Sequence, residues 1–212
     1  MDVYEAIEKR RTVRTFKKGV SEKQLQKIIA AGIKAPSGSN VQPWAFIVID
    51  DPKIIEQIAG FKYLQTLKMV MDEKALSEPA AIEQIYRQTL KMPLSPGRAV
   101  SQRDVYRNCT VVAVCNQIGH GIGRKPWMNI ENIGSNWMCI QNMALAATAD
   151  GFGIVPSIFR EEYKIAVEKL LCIPEDYELT TIVLIGVQAR TPGKRIITVP
   201  PKHLQLYRNR FG

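Results

Sequence analysis

Apolar positions along this chain fall into two kinds of run. The first recurs at helical spacing. Val3, Ala6 and Ile7 share one face of a short amino-terminal helix, opened by the capping pair Asp2 and Glu5. Leu25, Ile28, Ile29 and Ile33 mark a second helix, opened by Ser21 and Gln24 and ended by Pro36 and Gly38. The second kind of run is continuous. Trp44 to Ile49, Thr110 to Cys115 and Thr181 to Val187 are rich in strand formers, which predicts strands buried on both faces.

Ile133 to Ala149 carries no charged residue. It is too short, and too rich in Ser135, Asn136, Gln141, Asn142 and Thr148, for a membrane span of roughly 18 to 20 apolar residues. A helix apolar on nearly every side predicts the buried central helix of the core, terminated by Gly151-Phe152-Gly153. From Lys53 to about Asp104 the pattern is mostly helical but broken by Pro79, Pro93, Pro96 and Gly97, without a clean stripe. That stretch is read as a variable helical insertion, either a cover or an arm around a partner. With no linker or repeat in view, residues 1–212 read as one α+β domain.

Composition changes this picture little, with one exception. Hydrophobic residues make up 46% and charged residues 23%, ordinary for a globular chain and too apolar for disorder. The net charge of +9 favours an anionic partner: nucleic acid, a membrane surface or a phosphate-bearing small molecule. Cys109, Cys115, Cys139 and Cys172 lack metal-site spacing and read as buried apolar groups in a reducing compartment, with the cytoplasm as default. Gly119, Gly121 and Gly123 do not form a dinucleotide loop, and His120 and His203 read as surface residues.

Three separated segments offer groups for a phosphorylated, planar, polar-edged ligand. Arg10-Arg11-Thr12-Val13-Arg14 combines planar donor forks with a hydroxyl, although a solvated helix end has the same composition. Pro36-Ser37-Gly38-Ser39-Asn40-Val41-Gln42-Pro43 is a stiff loop rich in side-chain donors and acceptors, or merely a helix-to-strand turn. Gly153 to Ile158 is backbone able to lie against a flat ring, or another turn.

In order and spacing these segments resemble the nitroreductase-like flavoproteins. Their signature opens with Arg-Arg-Ser/Thr-x-Arg/Lys-x-Phe, here Arg10 to Phe16, followed by Ala-Pro-Ser-x-x-Asn-x-Gln-Pro-Trp, here Ala35 to Trp44. A later helix string is matched by Gln141, Asn142, Leu145, Ala146, Ala147, Gly151 and Gly153. Ser157, Ile158 and Phe159 depart from the pattern, since many members carry a glycine or an acidic residue there.

The resemblance implies a central mixed, mostly antiparallel β-sheet flanked by helices, and an intertwined homodimer with FMN at the interface. It implies that Arg10, Arg11 and Thr12 hold the FMN phosphate and ribityl chain, and that Arg14 lies at the pyrimidine edge. Pro36, Ser37, Gly38, Ser39, Asn40 and Gln42 correspond to the loop that reaches the flavin from the other subunit. Pro156 and Ser157 correspond to the ring face, with a backbone N–H near Ile158 for N5, and Lys194 and Arg195 to a phosphate-closing pair. The implied activity is hydride transfer from NAD(P)H to a small acceptor such as a nitroaromatic or quinone, by alternating binding over one flavin face. Reductive dehalogenation, other family redox chemistry, and flavin storage or sensing are the alternatives. A nucleic-acid binder, motivated only by charge, ranks below them.

Overall fold

Tyr177–Gln188 forms β5, the strand against which the rest of the sheet registers in this computed structural model, which describes residues 1–74, 102–118 and 126–190. β3 (Thr110–Gln117) runs antiparallel along one edge of β5, from Thr110 opposite Ile185 to Gln117 opposite Tyr177. β2 (Trp44–Ile49) extends the sheet beyond β3. On the other edge lies β4 (Gly153–Ser157), with Gly153 opposite Gly186 and Ser157 opposite Ile182. β1 (Phe16–Lys18) pairs with the end of β5. All these pairs are antiparallel, and one parallel bridge, Thr12 to Ile154, makes the sheet mixed.

The continuous apolar runs are buried on both faces because helices cover both. Val111, Ala113, Cys115, Val155, Ile182 and Leu184 face one core layer, shared with Ile58, Ala59, Tyr106 and Val167. Those four come from α3 (Pro52–Lys74), α4 (Gln102–Arg107) and α6 (Glu161–Leu170). The alternate residues Val112, Val114, Ile154, Val183 and Ile185 face a second layer with Leu25, Ile28, Ile140, Met143 and Ala147. This layer belongs to α2 (Glu22–Gly32) and α5 (Pro126–Ala149). The period-two alternation of side chains along a strand divides one apolar run between two layers.

Both capping signals act as expected. Asp2 accepts from the Glu5 N–H at the start of α1 (Val3–Lys9), and Ser21 with Gln24 forms a reciprocal capping box.

Four expectations change. Gly153 to Ser157 is a strand rather than a turn. α5 begins earlier, at Pro126, and buries one side only: Cys139, Met143 and Ala147 are inside, whereas Ile130, Met138 and Gln141 are exposed. On α1 only Ala6 is buried, leaving Val3 and Ile7 in solvent. Cys172 is exposed in a left-handed turn after α6, unlike the buried Cys115 and Cys139. Residues 52–74 are helical, in keeping with the pattern read there, while Pro79, Pro93, Pro96 and Gly97 lie outside the described residues. Among the described residues no helix is long and apolar enough to cross a membrane. Gly119, His120, Gly121, Gly123, Lys194, Arg195 and His203 lie outside the described residues.

Candidate functional site

The end of α5 explains how the basic string finds its place. Gly151 takes a φ of 82°, and Gly151 N–H and Phe152 N–H donate to Thr148 O and Ala147 O at 3.0 and 2.8 Å. This is the paired hydrogen-bond pattern that turns a chain out of a helix through a left-handed glycine. Two residues later Gly153 meets the residue 10–14 segment so closely that an added Cβ would lie 2.7 Å from Val13 Cβ and Cγ1. The missing side chain lets Val13 N–H reach Ile154 O at 3.3 Å and Thr12 bridge Ile154. Ala189 N–H donates to Thr15 O at 2.9 Å, fixing the segment's far end to the end of β5. Two of the three segments singled out in the sequence are thereby in direct contact.

Within the string, Thr12 and Arg14 are exposed while Arg10 and Arg11 are half-buried. Arg11 Nη1 donates to the Glu8 and Arg10 carbonyls, which closes the carboxyl end of α1. Its Nε is buried with no partner among the described residues. An orphaned guanidinium donor beside Arg10 and Thr12 fits a phosphate, whose oxygens accept from several donors at once.

Beyond β4 the chain is pinned by three side chains that sequence reasoning missed. Tyr106 OH and Ser157 Oγ are 2.7 Å apart, both buried. Burial pushes the Tyr106 phenol above its ordinary value, so it stays a neutral hydrogen-bonding group. Lys62 Nζ donates to Ile158 O at 2.7 Å and stands 5.4 Å from the centre of the Phe159 ring. Gln65, only 4% exposed, uses both ends of its amide: Nε2 donates to Ile158 O at 3.2 Å, and Oε1 accepts from Arg160 N–H at 2.8 Å. The backbone from Ser157 to Arg160 is therefore held rigidly by α3 and α4. Burial first, then the charges of Arg160 and Arg14, lower the Lys62 amine below its ordinary value.

The third segment is elsewhere. Ser39, Asn40 and Gln42 all take positive φ (49°, 56° and 51°), a cluster of left-handed non-glycine residues that costs on the order of 1 kcal/mol or more each. Ser37 organises the turn: its carbonyl accepts from Asn40 N–H and its Oγ from Gln42 N–H, each at 3.0 Å. Pro36, Gly38, Ser39, Asn40 and Gln42 are left exposed. Pro43 O accepts from Gln117 N–H at 2.8 Å, which ties the loop to the sheet where Gln117 faces Tyr177. Thr12 instead meets Ile154, which faces Ile185. Eight residues of β5 separate Tyr177 from Ile185, roughly 25 Å at strand rise.

Near the loop end of the sheet a polar cluster crosses the core. Asn116 is fully buried; its Nδ2 donates to Asn129 Oδ1 at 2.8 Å and Glu178 Oε1 at 3.1 Å, while Asn136 Nδ2 donates to its Oδ1 at 2.9 Å. Glu178 Oε2 accepts from Lys164 at 2.6 Å. Burial would raise the Glu178 carboxyl, but the Lys164 hydrogen bond and charge, with Asn116 and Asn129, hold it below its ordinary value. Apart from Asn136 Oδ1, buried without a partner among the described residues, the set pairs internally and reads as a lock between α5, α6 and the sheet. Thiolate chemistry is disfavoured at Cys109 and Cys139, since burial pushes both thiols up to about 12. Among the described residues no group of three His, Cys, Asp or Glu is placed to hold a metal ion.

Comparison with known proteins gives one family. The model of the Nitroreductase family matches residues 7–187. Protein DrgA of Synechocystis sp. is 29% identical over 198 residues, 92% of this chain and 89% of that protein. The 5,6-dimethylbenzimidazole synthase of Rhodobacter capsulatus is 30% identical over 186 residues, 86% of this chain and 82% of the synthase. A crystal structure of oxidized iodotyrosine deiodinase bound to FMN and 3-iodo-L-tyrosine superposes with a TM-score of 0.70 at 22% identity, over 93% of this chain and 95% of that one. Such a match at that identity establishes the fold.

Proposed function

The chain belongs to the nitroreductase family of oxidoreductases, and from that premise we propose that it binds FMN and passes hydride from NAD(P)H to a small organic acceptor. The observation that carries this reading is the docking of Arg10 to Arg14 onto β4, beside a backbone segment, 157–160, held rigid from behind. Arg10, Arg11 and Thr12 hold the phosphate, and the unpaired Arg11 Nε is one donor waiting for it. Pro156 and Ile158 lie along the ring, while the Ser157 hydroxyl is committed to Tyr106 and contributes by fixing the strand end. FMN, when bound, supplies the hydride-accepting and hydride-donating centre. Arg14 stabilises the negative charge that builds at the pyrimidine edge on reduction, so no general acid is required of the protein. Lys194 and Arg195 are proposed to close around the phosphate.

Distance supports a homodimer. The loop bearing Ser37, Ser39, Asn40 and Gln42 is roughly 25 Å along β5 from the basic string of its own chain, too far to share one flavin. A second copy supplies the loop. The apolar residues left in solvent on α1 and α5 (Tyr4, Ile7, Ile130 and Met138) give that copy a surface, and the two helices pack on each other. Four free thiols suit a reducing cytoplasm.

Deiodinase and synthase relatives keep other redox chemistry as the second reading. The test is an absorption spectrum of the purified protein, then addition of NADPH and of NADH under nitrogen. Rapid bleaching of a yellow protein is expected, and a colourless protein that cannot be loaded with FMN refutes the proposal. Yellow protein that neither nucleotide bleaches removes the reductase reading and leaves storage or another reductant. In the Arg14→Ala variant the rate of flavin reduction falls more than FMN affinity does. Equal losses would remove Arg14 from its pyrimidine-edge role.

A further inference from the structure

Lys62 Nζ sits on Ile158 O just past the end of β4, two residues before Arg160, the charges of Arg160 and Arg14 both bear on its amine, and among the described residues no carboxylate pairs with any of the three. Their neighbour Lys68 is matched by Glu162 at 2.8 Å, so pairing is the local habit and these three cations break it. Like charges held together in a partly desolvated place repel, and both neighbours act against the protonated state of Lys62. The arrangement is also built rather than accidental. Lys62 is fixed by Ile158 O, and the backbone of Arg160 is fixed by the buried Gln65.

Arg160 stands at the N-cap of the ten-residue helix α6, with extended backbone and no side-chain cap. Helices favour Ser, Thr, Asp or Asn there, and a cation adds to the positive end of the helix dipole. Proteins break such local rules chiefly at functional sites.

We propose that Lys62 and Arg160 form an anion-selecting rim over the flavin face, so that the acceptor is a small planar organic anion bearing a carboxylate or phosphate. This rests on the FMN reading above. One negative charge on the reduced flavin matches Arg14, and the two remaining cations lie further along the pinned segment. The substrate's anionic group neutralises them, while its planar body stacks over the ring.

Calorimetric titration of the protein as purified, with benzoate and with its neutral analogue benzamide, tests the rim independently of turnover. FMN content is read from absorbance on the same samples. At low salt benzoate is expected to bind at least about tenfold more tightly than benzamide. In 0.3 M salt the ratio is expected to shrink to roughly threefold or less, as partly exposed charges are screened. Arg160→Gln, a change at an exposed position, is expected to remove most of the preference at wild-type FMN content. A yellow protein that binds both compounds equally overturns the rim. So does an Arg160→Gln variant that keeps the benzoate preference, or one that loses affinity for NADPH alone, which would make the reductant the anion selected. A colourless protein that still prefers benzoate retracts the flavin reading and keeps the rim, because calorimetry reads binding with or without FMN.

Discussion

Gly153→Ala probes the link between packing and cofactor binding, because one methyl group is asked to fit where none does. The new Cβ would stand 2.7 Å from two carbons of Val13 and 2.9 Å from Gln188 Cγ, against an ordinary carbon contact of about 3.5–4.0 Å. Relief requires a displacement of roughly 1 Å. The nearest atom of Val13 is its Cβ, one bond from the backbone, so rotating a side chain cannot supply it. Either residues 10–14 lift off β4 or β4 moves from β5. Overpacking of this kind costs about 1–3 kcal/mol. For a chain of 212 residues each kcal/mol corresponds to about 2–4 °C, so Tm should fall by roughly 2–12 °C. Lifting the string also misplaces Arg10, Arg11 and Thr12. Loss of one charge-assisted hydrogen bond, about 1.5–3 kcal/mol, weakens FMN binding on the order of 10- to 100-fold. Thermal unfolding of the flavin-free protein reads the first effect, and titration with FMN followed by flavin fluorescence reads the second. Gly60→Ala is the control: nothing lies within 4 Å of its new Cβ, and in the interior of α3 it should add about 0.5–1 kcal/mol. If Gly153→Ala keeps wild-type Tm and FMN affinity, the docking of the string on β4 does not govern the cofactor site.

Tyr106→Phe should cost about 1–3 kcal/mol in urea unfolding, because Ser157 Oγ is left buried without its partner; an unchanged midpoint would mean that water takes the place. Met138→Glu puts a charge on the exposed apolar side of α5 and should convert a dimer to monomers in sedimentation, with loss of FMN; a dimer that survives moves the interface elsewhere. Glu178→Gln should cost about 1 kcal/mol at neutral pH, a modest figure because the site is only partly buried. Since folding lowers the Glu178 carboxyl, its contribution is full above the ordinary value of 4.5 and disappears as pH falls through the folded value. Wild type and variant should therefore converge in unfolding experiments as the pH is lowered progressively below 4.5, and a difference that does not shrink on acidification would refute the assignment.

Much of the fold was legible before any coordinates. β2, β3 and β5 were readable because a strand buried on both faces must be apolar at every position, which leaves a continuous run. The starts of α1 and α2 were readable because a cap is local: donor and acceptor are three residues apart. β4 was not, because Pro156 and Ser157 interrupt its apolar run. Proline is tolerated there since, among the described residues, the outer edge of β4 meets only the bridge at Thr12. The exposed side of α5 is not legible in the sequence because apolar residues such as Ile130 and Met138 look alike whether they face the core or solvent.

For the candidate site the division is sharper. Sequence alone determined which groups are available: the arginines and threonine from Arg10 to Arg14, the Pro36 to Gln42 loop, and the glycines at 151 and 153. Each lies in a short string whose chemistry is carried by neighbours in the chain. Only the tertiary structure decided that the first string docks on β4 while the loop stands at the far end of the sheet. It also decided the parts played by Lys62, Gln65 and Tyr106, which reach residues 157–160 from α3 and α4. Their partners are 51 to 96 residues away along the chain. Over such separations a lysine or glutamine on a helix has the same local pattern whether it faces water or pins a backbone, and only the packing of α3 and α4 against the sheet distinguishes the two.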